Sequence, residues 1–513
     1  MALKIQFKLD FDQNVEAYLN KKYPKMTDFR ILSQSLDARG APRGKKPVYQ
    51  YNIEWIKEGE TFTNFDEKFD KRKPFDKMPI FVGAGPASLF AAVRLAEYGI
   101  PSIVIERGEQ AQKRMLHISK YWRYGELDTE SNVCYGEGGA GLYSDGKLIT
   151  RVKSPFVKYV MKKFVQFGAP PETEYMSNPH LGSNKIRNII TKLSDHLREQ
   201  GCKILYNTRV DELVFEGDKV TGVKLSNGET LYSDHIILAT GHSSKELYHH
   251  LDDNKVAMSQ KDFAVGVRIE HPRAVIDQLQ HGKYSELLGS ARYKLSYYNE
   301  DTTKGTYSFC MCPGGYVLSS GTEKDGIVVN GMSNSAQNSR WSNSALVVTV
   351  HADRDYKGDK LAGLDFQHKI EKKAYELSIE KASGRELPAM TVGEFLNGKL
   401  DDKPLPKTSS PSKLFKTDIR EIFPDFINEH ILEGLKDFDS NMKGYTFHDA
   451  LLIAPETRTS APVTILRDKL SLESISHKGL YPCGEGAGYA GGITSAAVDG
   501  IKIVESILNT HDA

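Results

Sequence analysis

Apolar and polar positions follow two rhythms along this 513-residue chain. In residues 3–9 (LKIQFKL) and again in residues 48–56 they alternate with period two, the mark of a strand with one buried face. Residues 14–23 between them read as a helix, so the first 74 residues predict a small α+β unit. Downstream the rhythm changes. Ile80-Phe81-Val82, Ile103-Val104-Ile105, residues 203–206 and the stretch 234–241 (DHIILATG), which ends in a small-residue turn, carry short apolar runs. Such runs, spaced by helical stretches, predict strands buried on both faces of a parallel sheet. Helices are predicted after Pro86, over residues 185–200 and at the C-terminus to about residue 508, with an antiparallel meander over 212–225 that turns at Gly217-Asp218. Residues 252–443 carry further strands (263–270, 306–312, 345–350) and a helix over 364–382, and read as an insertion.

The chemistry is densest in residues 79–108, PIFVGAGPASLFAAVRLAEYGIPSIVIERG. A strand runs into a glycine turn, a helix and a second strand. Gly83, Gly85 and Ser88 occupy the three glycine positions of a dinucleotide fingerprint. Gly83 permits the tight turn and Gly85 lets a pyrophosphate approach the backbone. Pro86 suits the first helical turn, whose free N–H groups and positive dipole end face that phosphate. Glu106 follows about 20 residues after the turn, where a carboxylate accepts from a ribose hydroxyl.

Composition removes several alternatives. The 68 basic and 67 acidic residues balance, so no chain-wide field favours nucleic acid or an anionic membrane. Five cysteines form no disulfide framework and fit a reducing compartment. The N-terminus alternates charged and apolar residues, unlike a signal peptide, and no apolar run approaches a membrane span. A cytoplasmic protein with no membrane partner and no metal is expected. One local exception is the basic loop over residues 39–46 (RGAPRGKK), read as a solvated hairpin tip. Residues 60–77 read as a linker into the fingerprint strand.

Two more glycine-rich segments follow the fingerprint: residues 135–147 (YGEGGAGLYSDGK) and residues 479–500 (GLYPCGEGAGYAGGITSAAVDG). Three separated glycine segments predict one extended ligand gripped along its length, which points from a dinucleotide in general to FAD. Glu485 is placed to accept from a sugar-alcohol hydroxyl, and Gly491-Gly492 opens a helix whose N-terminus would favour negative charge on a reduced flavin.

These segments resemble the three FAD-contact regions of FAD-dependent oxidoreductases. More closely, the chain resembles a bacterial family of FAD-dependent dehydrogenases, through residues 35–39 (SLDAR), 136–141 (GEGGAG), 144–147 (SDGK), 263–272 (FAVGVRIEHP), 310–315 (CMCPGG) and 481–492 (YPCGEGAGYAGG). Ser88, where a third glycine is commonest, is the departure. The resemblance implies an α/β fold: a Rossmann-type FAD-binding domain (75–251 and 444–513), an inserted α+β substrate or cap domain (252–443) and the small N-terminal domain (1–74). The cofactor residues expected are Gly83, Gly85, Pro86, Ala87, Ser88, Glu106, Arg107, Gly139, Ala140, Gly141, Lys147, Val210, Thr240, Gly241, Gly484, Glu485, Gly491, Gly492 and Ile493. Non-covalent FAD is implied.

The reaction is less legible. No second fingerprint exists, so a nicotinamide, NAD(P)H, would visit the flavin transiently as electron donor. No Cys-x-x-Cys pair exists, which argues against a dithiol relay. A disulfide between Cys310 and Cys312 would be strained, so they read as small strand residues before the Pro313-Gly-Gly315 turn, with a reactive Cys310 thiol as the alternative. Lys147 is a candidate for positive charge beside the flavin. Arg268, Glu270 and His271 read as a structural ion pair beside a partly exposed histidine, with His271 as a candidate proton carrier. The reading is an FAD-dependent oxidoreductase moving a hydride between flavin and a small organic substrate held under the inserted domain. The alternatives are a flavoprotein monooxygenase, and an RNA-modifying or RNA-binding flavoprotein that grips RNA with Arg39, Arg43, Lys45 and Lys46.

Overall fold

The two rhythms build different sheets. The computed structural model describes residues 2–63 and 68–511; positions 64–67 of the expected linker lie outside the described residues. The alternating segments Leu3–Asp10 and Val48–Ile56 pair antiparallel, and Asp28–Asp37, a strand the pattern did not predict, pairs with the other edge of Val48–Ile56. The helix Val15–Lys22, capped by the Asn14 side chain accepting from the Ala17 amide at 2.9 Å, closes a core of Leu9, Leu19, Tyr51, Ile53 and Trp55. Backbone bonds between Gln34 and residues 175 and 177, each of 2.9 Å, dock this sheet on the rest of the chain.

The unbroken apolar runs form one parallel five-stranded sheet, in the order Leu480–Pro482, Ile236–Leu238, Ile80–Val82, Ile103–Ile105, Lys203–Leu205. Three of these five strands are buried at all three positions, because helices cover one face and antiparallel strands over residues 210–225, with residues 247–251, cover the other. The helix Pro86–Glu97 is buried from Ala87 to Ala96. Burying Leu89, Phe90, Val93 and Leu95 contributes about 1.5–3 kcal/mol each. This helix crosses the C-terminal helix Ile493–His511 so closely that a Cβ on Gly500 would run into the Ala87 carbonyl oxygen. The meander Val210–Glu216, Lys219–Leu225, Thr230–Tyr232 forms a separate three-stranded antiparallel sheet.

The intervening chain forms a seven-stranded mixed sheet, with Ser296–Asn299, Lys304–Cys312, Trp341–Val350, Phe263–Pro272, Leu451–Glu456, Leu387–Thr391 and Leu414–Lys416 in that order. Leu451–Glu456, which the boundary at 443/444 assigns to the cofactor segment, is an interior strand here. The chain returns toward the parallel sheet only after it, through Val463–Ile465, which pairs with Met258–Gln260. Along Phe263–Pro272 the odd positions Phe263, Val265, Val267 and Ile269 enter the apolar core that includes Ile427, Ile431 and Phe438 of the helix Asp425–Asn441. Arg268 lies on the other face, against Asn330 of the hairpin Tyr316–Ser319/Val329–Met332.

Candidate cofactor and substrate site

The turn after Ile80–Val82 sets the site. Gly83 has φ +100°, and a Cβ there would stand 2.5 Å from the Ala239 carbonyl oxygen at the end of the neighbouring strand. Only glycine lets these two strand ends converge. Gly85 is the N-cap of the buried helix that starts at Pro86. No protein atom lies within 4 Å of where a Cβ would stand at Gly85, Gly241 or Gly491, so backbone faces open space at all three.

That space is a cavity of about 680 Å³ at the carboxyl ends of the parallel strands, within the range of small-molecule sites. Every expected cofactor residue borders it except Ser88, from Gly83 and Gly85 through Glu106, Arg107, Gly139, Lys147, Val210 and Thr240 to Gly484, Glu485 and Ile493. Ser88 is instead fully buried in the helix interface, its hydroxyl without a hydrogen-bond partner. One helical step past Ala87 turns its side chain away from the cavity.

Glu106 has a second task that the spacing did not disclose. Its carboxylate accepts from the Ala84 amide at 2.8 Å, from Gly108 at 2.9 Å and from Gly136 at 2.8 Å. It thereby ties the first glycine turn to the second glycine segment while still bordering the cavity. Arg114, which sequence reasoning passed over, completes the clamp. It is fully buried and donates to the carbonyls of Asn132 and Val133 at 2.7 Å and of Glu137 and Gly139 at 2.9 Å. An arginine on an amphipathic helix carries no sequence signal for this role. Arg107 stacks 4.0 Å over Tyr135 and pairs with Glu130 and Glu246.

At the other end of the cavity, Lys147 donates to the Met311 carbonyl and lies 3.4 Å from Asp145. Asp145 also accepts from Ser333 at 2.5 Å and sits 3.3 Å from His180. Burial opposes its ionisation, but His180 and Lys147 outweigh burial and hold the carboxyl well below its ordinary range. Glu485 receives no hydrogen bond from the described residues, and burial pushes it up to about 7, with Lys261 opposing. His242 joins the same wall. Its Nδ1 meets the Ser243 hydroxyl at 2.8 Å, and burial together with Arg458 lowers it to about 4, so the ring is neutral at pH 7.

The remaining wall comes from the seven-stranded sheet. A bulge between Phe309 and Cys312 turns Cys310, at φ +42°, out to the cavity while Cys312 stays buried. Enclosure raises the Cys310 thiol above its ordinary value despite Lys147, and Cys312 is pushed up to about 12, so neither is activated as a thiolate. Arg268 does not pair with Glu270. It grips Glu456 at 2.7 and 2.9 Å, and Glu270 accepts from Thr408 and Ser409. His271, expected to be partly exposed, is fully buried, with Nε2 2.7 Å from the Tyr445 carbonyl and no access to the cavity. It lies on the core face of its strand, which removes it as a proton carrier. Among the described residues Glu323, Asp325 and His368 bring ligand atoms within 4.8 Å, with Lys245 and Arg458 as countercharge.

The family model "FAD-dependent protein, C-terminal domain-like" matches residues 262–459, and the model "Pyridine nucleotide-disulphide oxidoreductase" matches residues 79–251. A Clostridium beijerinckii protein, described as an uncharacterized protein, is 37% identical over 539 residues, covering 100% of this chain and 99% of its own. The chain belongs to a family of FAD-dependent oxidoreductases. Protein FixC of Escherichia coli is 30% identical to this oxidoreductase over 39% of this chain and 44% of its own. Among solved structures, a geranylgeranyl bacteriochlorophyll reductase-like protein of Thermoplasma acidophilum covers 85% of this oxidoreductase and 79% of its own chain, at 12% identity and a TM-score of 0.37. No helix among the described residues of the oxidoreductase is long and apolar enough to cross a membrane. In its basic loop Arg39 pairs with Asp37 at 2.7 Å, and Lys46 pairs with Asp10 at 3.1 Å and Asp12 at 2.9 Å, which offsets half of the charge offered to RNA.

Proposed function

We propose that the protein moves a hydride between non-covalently bound FAD and a small organic substrate that approaches from the seven-stranded sheet. The observation that carries this reading is the single cavity bordered by all three glycine segments and closed by Phe309, Cys310, Asn330 and Glu456 of the inserted region. The residues fit the cofactor: open space at Gly85, Gly241 and Gly491 admits its backbone contacts, and the unpartnered Glu485 carboxylate is free to accept from its sugar alcohol. Bound FAD supplies a two-electron carrier that takes up or returns a hydride.

The chain's own residues do the rest. Glu106 and Val210 hold the nucleoside end, and the amides opening the helix Pro86–Glu97 face the pyrophosphate. Gly491, Gly492 and Ile493 aim a second helix N-terminus at the ring end, where its dipole favours negative charge. Lys147, oriented by Asp145 and the Met311 carbonyl, adds a full positive charge there. Arg458, held by Glu371 at 2.8 Å, donates to Ser243 at 3.1 Å and keeps the neutral His242 in place. Reduced nicotinamide is the proposed donor, entering the same cavity transiently. The protein purified under air should be yellow, and an anaerobic screen of organic acids, alcohols and amines should find a compound that bleaches it. A yellow protein that no compound and no NAD(P)H can bleach would sink the reading. Oxygen-dependent hydroxylation of the compound found would instead make it a monooxygenase.

A further inference from the structure

Beside Lys147 lies a second cavity of about 360 Å³, which shares Lys147 and Ile149 with the first. Three cations border it, Lys147, Arg292 and Lys294, and no carboxylate does; Asn178 and Gln280 add amides. We propose that this cavity binds the carboxylate of the substrate, so that the compound oxidised or reduced is a small organic acid. The proposal rests on the cofactor reading above, because the shared wall at Lys147 is what joins the two spaces.

The argument is one of missing countercharges. Elsewhere among the described residues several cations that are shielded from water are paired, Arg268 with Glu456, Arg458 with Glu371, Lys304 with Asp355 and Arg467 with Asp499, and the buried Arg114 is met by backbone carbonyls instead. Arg292 is half-buried, yet neither it nor Lys294 makes an ion pair or a side-chain hydrogen bond among the described residues. Both flank Tyr293, whose buried ring packs edge-on against Tyr445 at 5.5 Å and anchors the segment. A guanidinium withdrawn from water without a partner is costly, and a carboxylate from outside removes the cost through two parallel charge-assisted bonds. Lys147, fixed by the Met311 carbonyl, supplies the second charge. A molecule held there by its carboxylate extends past Lys147 and Ile149 into the larger cavity, where its remaining carbons meet the cofactor end.

The test is calorimetric titration of the purified yellow protein, in chloride-free buffer, with acetate, succinate, benzoate and inorganic phosphate, and with neutral succinamide as control. At least one carboxylate should bind saturably, and succinamide should not. Arg292→Gln should weaken that binding about tenfold or more, as expected when a charge-assisted bidentate contact is lost, while flavin absorbance per chain stays constant. Arg292→Lys should restore part of it. The exposed Lys294→Gln gives a second, smaller loss and serves if the arginine variant does not fold. Failure of all three carboxylates to bind, binding by phosphate alone, or unchanged affinity in both variants would overturn the proposal. Protein purified without flavin would overturn the cofactor reading instead, and titration of that colourless protein would still decide the acid site.

Discussion

The two walls of the large cavity are built on opposite principles. The wall from the parallel sheet presents backbone at its glycine turns: Gly83, Gly85, Gly139, Gly241 and Gly484 border the space, and Glu106 beside them, like Arg114 behind them, holds loops together. The wall from the seven-stranded sheet and the hairpin packed on it presents side chains: Cys310, Asn330, Glu456 and Arg458, the last three fixed by side chains far away in sequence. Backbone grips a ligand common to many proteins through amides and helix ends. Side chains decide which second molecule may enter. The general half and the particular half of the function thus sit face to face.

The sharpest way to break this division is to fill the backbone wall. Gly85 has φ −79° and ψ 178°, which any residue adopts, and a Cβ there meets no protein atom within 4 Å and points into the open cavity. Gly85→Trp should therefore fold with near-normal stability and come off a column colourless, with the visible flavin band lost. A yellow Gly85→Trp protein would move the pyrophosphate elsewhere.

The side-chain wall should respond in stability rather than in colour. Arg268→Leu leaves Glu456 buried without its countercharge and strips donors from Asn330 and Asn343. Breaking such a pair costs about 3–5 kcal/mol, read as a lowered midpoint in urea denaturation, whereas the double replacement Arg268→Met, Glu456→Leu should recover most of it. If Arg268→Leu costs nothing, the pair is not the brace of this wall.

The same division explains what was legible in the sequence. Turn glycines, the run of Ile80–Val82 and the spacing to Glu106 are local signals, because a tight turn, a doubly buried strand and a helix start each constrain neighbouring residues. The parallel sheet and the glycine segments that border the cavity were readable for that reason. Arg114 and Arg458 were not, since their partners lie 18 to 25 and 87 or more residues away with no shared periodicity, and His242 was not, since burial and the distant Arg458 set its state. Leu451–Glu456 reads as another apolar run, and only its pairing with Phe263–Pro272 and Leu387–Thr391 shows which sheet owns it. Within the fully buried Phe263–His271, burial on both faces hid that His271 lies on the core side.

A pH experiment sharpens the role of Glu485, a carboxylate of the glycine wall without a hydrogen-bond partner among the described residues. Burial raises Glu485 from the ordinary carboxylate range to about 7. A raised folded-state value means that the folded protein holds the proton more tightly, so this group's contribution is full below about 4.5 and is lost as pH rises through about 7. His242, lowered to about 4 from 6.5, works in the opposite sense as pH falls, so the wild-type profile alone is a mixture. The difference between wild type and Glu485→Gln isolates the carboxylate. In flavin-free protein the melting temperature of wild type should fall relative to the variant between about pH 5 and 8. A constant difference across that range would mean that Glu485 is solvated in the cavity.

The smallest effect bears on the residue that departs from the fingerprint. Ser88 sits in the helix Pro86–Glu97 with its hydroxyl buried and unpartnered, off the cavity that Ala87 still borders. An unpaired buried hydroxyl costs about 1 kcal/mol or more, and alanine is the better helix former, so Ser88→Ala should raise stability by about 1 kcal/mol. Flavin occupancy should not change, because the pyrophosphate end is served by Gly85 and the helix amides rather than by this side chain. A glycine at the same place should leave occupancy equally intact while lowering helix stability by about 1 kcal/mol relative to alanine. If either variant loses flavin, the third fingerprint position acts on the cofactor directly, and the backbone wall begins one residue later than the geometry indicates.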